Sequence, residues 1–290
     1  MTTSATPDLS VVVTVVDGGD ALDGLLRALD SQAGVPPVDV IVPFDATIAQ
    51  VGHLTSRFPR VRFLDLGVLP LEHPPASGAG QHELFDLRRA AGLAEARGAL
   101  VGMLEDRAPP APEWAAVMTR LHAELPHAVI GGPIATTAPD RLNWAFYACD
   151  FTRYAPPQTS GPRDFVSDVN ICYKRRALDA TRELWARKYN EVKVHWALTR
   201  AGETLYVHHE PLVYHRAHYT SLTRLLAERF DWGRLFGAVR ASEVGAVTRL
   251  VLIGSAPLVP CLLLARLGRA QARIGNLGRF LGAAPVIFAL

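Results

Sequence analysis

LVGMLEDRAPPAPEW, Leu100 to Trp114, sets two carboxylates and an arginine directly behind an apolar run, then adds three prolines and a tryptophan. Val101, Met103 and Leu104 read as the end of a buried strand. Glu105 and Asp106 therefore stand where the chain leaves a sheet, and carboxylates placed there need a cationic partner close by.

The residues on the amino-terminal side show what kind of sheet this is. LSVVVTVV, Leu9 to Val16, is a continuous β-branched run, and Leu22, Leu25, Leu26 and Leu29 follow at helical spacing. VDVIV from Val38, a helix near Ile48, Val51 and Leu54, and VRFLDL from Val61 repeat the pattern. Such alternation predicts an α/β fold with a mostly parallel sheet flanked by crossover helices. HPPASGAGQ, His73 to Gln81, reads as an exposed loop, and a helix is predicted from Glu83 to Ala96, closed by Gly98. Glu105 and Asp106 then fall at the carboxyl end of the fourth parallel strand, the edge where open α/β sheets bind ligands.

Composition narrows the function classes. The 290 residues carry 30 basic and 28 acidic side chains, a formal charge of +2, so no global field points to nucleic acid as a partner. Cys149, Cys172 and Cys261 lie singly, without the spacing of a zinc site or disulfide framework, which implies a reducing, cytosolic setting. MTTSATPDLS at the start has neither the basic residues nor the apolar core of an export signal.

The carboxyl-terminal part differs. LVLIGSAPLVPCLLLA, Leu250 to Ala265, is uncharged, and FLGAAPVIFAL closes the chain from Phe280. Both are shorter than the roughly 20 apolar residues of a straight bilayer span, so the first reads as tilted or re-entrant and the second as partly inserted. The alternative is a buried helical hairpin kinked by Pro257 and Pro260. Arg266, Arg269, Arg273 and Arg279 between them suit anionic headgroups, which points to the cytoplasmic face of the cell membrane. The expected division is a catalytic domain over residues 1–215 and a helical, membrane-associated appendage over 216–290.

SVVVTVVDGGDALDGLLRALDSQ resembles the opening of family 2 glycosyltransferases, and RRAAGLAEARGALVGMLEDRAPPAPEW resembles their next signature. SDVNICYKRRAL and NEVKVHWALTRAG resemble the acceptor-side segment and the helix that carries a catalytic acid. The resemblance runs from Leu9 to about Arg240. It implies the GT-A fold and transfer of a sugar from a UDP- or GDP-sugar donor to a lipid or glycan acceptor, usually with inversion. A polyprenyl-phosphate sugar synthase and a catalytically degenerate nucleotide-sugar-binding protein are the alternatives.

By the same resemblance Asp17 and Asp45 correspond to carboxylates that contact the nucleoside, Arg89 to an arginine that holds the donor, and Asn170 and Tyr173 to the acceptor side. Arg88 reads as a solvated helix charge, and Asp17 and Asp45 read equally as turn residues at strand ends. The triplet departs from the family: its third position, usually an aspartate that binds Mn²⁺ or Mg²⁺, is Arg107. The nearest pattern is a membrane-tailed subgroup with a Glu-Asp-His triplet. Either Glu105 and Asp106 still hold a divalent cation through water and phosphate, or Arg107 replaces part of its charge; a plain Asp106–Arg107 ion pair is the third possibility. Inversion needs a base, and Glu191, at the start of a helix, is the candidate. His195 lies one turn on, to orient Glu191 or touch the acceptor, or simply to pack. His215 is expected at the diphosphate or a metal. Residues 222–240 read as a helix with one apolar and one basic face.

Overall fold

The structure is a computed structural model and describes residues 8–35, 38–48 and 51–290. The reading of the first residues as lacking an export signal lies mostly outside that range. Among the described residues there are ten strands: β1 (Leu9–Thr14), β2 (Asp39–Phe44), β3 (Arg62–Asp65), β4 (Leu100–Glu105), β5 (Val129–Gly131), β6 (Ile134–Thr136), β7 (Gly161–Pro162), β8 (Asn170–Lys174), β9 (Leu205–Val207) and β10 (Val213–His215). The helices are α1 (Gly19–Asp30), α2 (Gly52–Arg57), α3 (Gly78–Glu95), α4 (Trp114–Glu124), α5 (Arg141–Phe151), α6 (Arg175–Ala180), α7 (Arg182–Trp185), α8 (Glu191–Arg200), α9 (Leu222–Glu243), α10 (Ala246–Ser255), α11 (Val259–Arg273) and α12 (Leu277–Ala289).

Eight strands form one sheet in the order β3-β2-β1-β4-β8-β5-β9-β7, while β6 and β10 pair separately. β1 to β4 are mutually parallel, as the alternation predicts; β8 runs against both β4 and β5. Val11 faces Val40 on one side and Gly102 on the other. Gly102 is needed there because a Cβ would come within 2.8 Å of the Trp114 ring, which packs on that point of β4. α3 begins at Gly78, so the last residues of the expected loop are helical.

The chain divides into two compact units, one comprising the described residues up to Pro70 with Glu83–Ala135 and Pro156–His215, the other Leu71–His82, Thr136–Ala155 and Arg216–Leu290. In the second unit Phe280, Ala283 and Ile287 of α12 are buried against Trp144, Ala145 and Ala148 of α5. The closing apolar run, expected to be partly inserted in a bilayer, therefore spends one face on protein. The Leu250 run behaves differently. Ala246–Arg273 is helical over 28 residues, its most apolar 18-residue stretch has a mean hydropathy of 2.0 with none of it buried, and by length and composition it can cross a membrane. Pro257 lies in the 3-10 turn Ala256–Leu258 and Pro260 in the first turn of α11, and they do not fold the run into a buried hairpin. In α9 the two faces are not cleanly separated: Phe230 and Trp232 are exposed, whereas Arg229 lies inward, ion-paired with Asp150 at 2.7 Å.

Candidate active site

The carboxyl edge of the parallel strands gathers most of the charged residues singled out above. Beyond β1 the chain passes Asp17 and turns at Gly18, whose φ of 69° is a left-handed conformation that glycine adopts without strain. The backbone N–H groups of Asp17 and Gly18 both donate to Asp106 Oδ2, at 3.0 and 2.7 Å. Because β1 and β4 are neighbours, the second triplet residue thus closes the first loop. Burial pushes the Asp106 carboxyl up to about 6 against the pull of those N–H donors. Its Oδ1 is buried and makes no hydrogen bond among the described residues.

Two adjacent arginines of α3 reach two different strand ends. Leu84, Arg88, Gly92 and Ala96 form a four-residue stripe on the sheet side of α3, and Arg88 is 1% exposed. The expectation of a solvated Arg88 is corrected here: it lies on the core stripe, and its charge is matched from below. Its Nε donates to Asp45 Oδ2 at 2.6 Å, Nη1 to the Val15 carbonyl at 2.5 Å and Nη2 to Thr47 Oγ1 at 2.9 Å. Asp45 Oδ1 accepts from the Thr47 N–H at 2.8 Å, so both its oxygens are engaged. Burial alone would raise the Asp45 pKa, but the bonds from Arg88 and Thr47 outweigh it and hold the carboxyl below its ordinary value. Asp45 acts as a buried anchor, and contact with a nucleoside would need one of those bonds to open.

Arg89 is the hub. It donates to Thr14 Oγ1 at 3.0 Å and to Glu105 Oε1 at 2.8 Å, and its Nη1 lies 3.0 Å from Asp168 Oδ2 and 3.7 Å from Asp86 Oδ1. Three carboxylates share one guanidinium. Burial first, then the surplus negative charge, leaves Glu105 and Asp86 each pushed up to about 7 despite Arg89. Arg89 is the cation that the opening stretch required.

Asn190 caps α8 through its side chain, which accepts from the Lys193 N–H, and so places Glu191 in the first helical turn. Glu191 Oε1 accepts the backbone N–H of Asp168 at 2.7 Å. Burial, and next the Asp168 carboxylate, raise the Glu191 pKa well above the ordinary range. Asp168 is a site residue that sequence reading missed. It precedes β8 in an irregular segment, so no periodicity marks it.

Arg107 forms a two-pronged pair with Asp17, Nε to Oδ2 at 2.7 Å and Nη2 to Oδ1 at 2.5 Å. The ion pair considered between Asp106 and Arg107 is thus corrected: the partner is Asp17, across the β1–β4 seam.

The residues expected on the acceptor side are buried and bonded within the fold. Asn170 donates through Nδ2 to the carbonyls of Pro133 and Pro211 at 3.0 and 2.7 Å and accepts the Trp114 indole N–H at 2.8 Å. Tyr173 and His195 are fully buried, with Tyr173 Oη 3.0 Å from His195 Nε2, and burial lowers His195 to about 3, so the imidazole is neutral. His215 is 1% exposed at the end of β10, inside the fold. The proline turn also has its explanation. Pro109 accepts from the Tyr214 N–H at 3.0 Å and Ala111 donates to the Leu212 carbonyl at 2.9 Å, so the turn runs extended along residues 212–214 and delivers Trp114 to Asn170.

No family model matches the sequence, and no curated protein matches it. Solved structures do match. The crystal structure of S. aureus TarS residues 1–349 in complex with UDP-GlcNAc shares 12% identity, with 97% of this chain and 90% of that one covered and a TM-score of 0.53. Another crystal structure of TarS 1–349 gives a TM-score of 0.51 at the same identity and coverage. The mannosyltransferase PcManGT from Pyrobaculum calidifontis, in complex with GDP-Man and Mn²⁺, shares 11% identity over 98% of this chain and 88% of that one, with a TM-score of 0.50. The fold is GT-A. At these identities the likeness is one of fold.

Mn²⁺ in one of these structures prompts the question of whether the residues here suit such an ion. Arg107 is no ligand, and its guanidinium is taken by Asp17. The buried, unbonded Asp106 Oδ1 and the carboxylate surplus around Arg89 do suit a cation held by one or two carboxylates, with water and phosphate oxygens completing its shell.

Proposed function

We propose that the chain is a family 2-like glycosyltransferase that moves a sugar from a UDP- or GDP-sugar to an acceptor hydroxyl with inversion. One observation carries this reading: at the ligand edge of a GT-A sheet, Glu191 is held by Asp168, and Asp168 and Glu105 converge on Arg89. As the acceptor oxygen attacks the anomeric carbon, Glu191 takes its proton. The bond from that carbon to the diphosphate oxygen breaks, and the nucleoside diphosphate leaves with the electron pair. A raised pKa makes Glu191 a stronger base than an ordinary carboxylate. The nucleoside diphosphate lies along the β1 and β2 ends, near Asp17 and the Gly18 turn. A divalent cation, Mn²⁺ or Mg²⁺, would be held by Asp106 with Glu105 beside it and would offset charge on the leaving diphosphate.

Residues 1–215 form the catalytic domain, and residues 216–290 hold it at the cytoplasmic face of the cell membrane. The exposed apolar run of α10 and α11 and five arginines without a carboxylate from Val244 to Leu290 support this placement. They also favour a lipid acceptor over a soluble one, which keeps a polyprenyl-phosphate sugar synthase as a second reading. The test is release of UDP or GDP from a panel of donor sugars, with lipid and glycan acceptors and organic extraction of labelled product. Glu191→Gln should cut turnover about 10³-fold while leaving donor affinity in place. Donor binding without turnover in the wild type would instead mark a binding protein.

A further inference from the structure

A second group of ligand-type side chains stands on the same edge of the sheet. β8 opposes β4, β5 opposes β8 and β9 runs with β5, so β9 points the same way as β4 and ends at the same edge as Glu105. Three strand spacings of about 4.8 Å separate the two strands, roughly 14 Å, on the far side from the β1 and β2 ends.

His208, His209 and Glu210 follow β9 directly, and each offers a ligand atom within 4.8 Å of the others. His208 Nδ1 lies 3.6 Å from Glu210 Oε1. Two ligands at roughly 2.1 Å from a tetrahedral ion stand at nearly this separation. His208 Nδ1 accepts only a long bond, 3.4 Å, from the Glu210 backbone N–H, which an ion would displace. Arg120 Nη2 holds Glu210 through Oε2 at 2.6 Å and leaves Oε1 on the His208 side. Ser160 Oγ lies 2.8 Å from His209 Nδ1; accepting the proton there fixes the tautomer in which Nε2 is the bare nitrogen. The charge balance agrees. Arg120 also pairs with Glu124 at 3.0 Å, so two carboxylates face one guanidinium.

We propose that His208, His209 and Glu210 bind one divalent cation of the zinc class, oriented by Ser160 and Arg120. Two imidazoles and one carboxylate favour such an ion over Mg²⁺ or Ca²⁺, which prefer all-oxygen shells. The same loop supplies the Pro211 carbonyl to Asn170 and the Leu212 carbonyl to Ala111, so a bound ion pins the segment that receives the proline turn. None of this depends on the glycosyltransferase reading.

The experiment is calorimetric titration of the full chain in detergent with Zn²⁺ at neutral pH, after chelator treatment, followed by Co²⁺ absorption. One saturable site is expected, unaffected by excess Mg²⁺, with a Co²⁺ spectrum of nitrogen and oxygen ligation. His208→Ala and His209→Ala should each weaken it at least about tenfold, and Ser160→Ala several-fold, an effect that a casual surface pair of histidines would not show. These side chains are at least partly exposed, so the variants fold, which circular dichroism verifies. Absence of saturable binding, or equal binding by the His208→Ala/His209→Ala double variant, overturns the proposal.

Discussion

The ligand edge of the sheet and the α10–α11 helix break the ordinary partition of residues in opposite directions. At the edge, Asp45, Arg88, Arg89 and Asp106 are each no more than 6% exposed, charges placed where apolar groups belong. In the helix, Leu250, Ile253 and Leu262 are 65 to 71% exposed, apolar groups placed where charges belong. Their remedies differ. Buried charges are stabilised from within, by partners arriving from several separate segments of chain, whereas the apolar side chains of the helix are exposed. The edge is therefore self-sufficient except for its carboxylate surplus, and the helix leaves its apolar side chains exposed.

The largest expected effect tests the helix. Leu250→Asp with Leu262→Asp should abolish sedimentation with anionic phospholipid vesicles, since a carboxylate in the middle of an apolar span costs about 2.5–3.5 kcal/mol. The melting temperature of the Leu9–His215 portion should not move, because both side chains already face outward. Undiminished vesicle binding would show that the exposed run is not the membrane contact. Deleting residues 250–290 is a poorer test than it looks from sequence, because it also strips α12 from Trp144 and Ala145.

Next comes the buried pair of the edge. Arg88→Ala leaves Asp45 charged inside the fold without its cation, held by the Thr47 N–H, and should cost about 3–5 kcal/mol in urea unfolding. The double variant Arg88→Met with Asp45→Leu should recover much of that loss, because two apolar groups need no partner. If the single and double variants are equally unstable, the damage is to packing and not to charge pairing.

The two regions were not equally legible in the sequence. The parallel strands, the triplet at the end of β4 and the exposed apolar run follow from hydrophobic periodicity, which records burial directly. Arg88 could have been found as well: it occupies the apolar stripe of Leu84, Gly92 and Ala96, and an arginine there implies a buried acid. Asp168 and the proline turn could not. Their places are set by contacts across long separations, Asp168 with Glu191 and Arg89, Ala111 with Leu212, and no local pattern encodes such a meeting. Asn170, Tyr173 and His195 turn inward, and a polar side chain whose bonding capacity is met inside the fold looks the same in sequence as one awaiting a ligand.

A smaller effect concerns pH. Glu105 is pushed up to about 7 and Asp106 to about 6, above the ordinary 4.5 and 3.8. Between those values the folded chain holds more protons than the unfolded one, so their contribution to stability is fully present below the ordinary pKa and is lost as pH rises to about 7. The melting temperature without added cation should fall from pH 5 to pH 8, and Mn²⁺ should restore part of it at the upper end by binding the ionised carboxylates. A melting temperature that rises through this window would contradict the carboxylate surplus.

The smallest effect belongs to Arg107. Its pair with Asp17 is at the rim, with side chains 16 and 29% exposed, so the pair is worth no more than about 1 kcal/mol to folding. Its interest is in the donor. If the nucleoside diphosphate competes with Asp17 for the guanidinium, Arg107→Ala should weaken diphosphate binding while Asp17→Ala, which frees Arg107, should strengthen it in EDTA. If Asp17 instead contacts the nucleoside, Asp17→Ala weakens binding as well. Arg107→Asp restores a carboxylate to the third triplet position but sets it against Asp17, so donor affinity should come to depend on Mn²⁺ more steeply than in the wild type. Isothermal titration of nucleoside diphosphate into the three variants, in EDTA and in Mn²⁺, separates these outcomes. Equal affinities throughout would leave Arg107 a surface clasp between β1 and β4 and return the whole work of diphosphate binding to the interior of the edge.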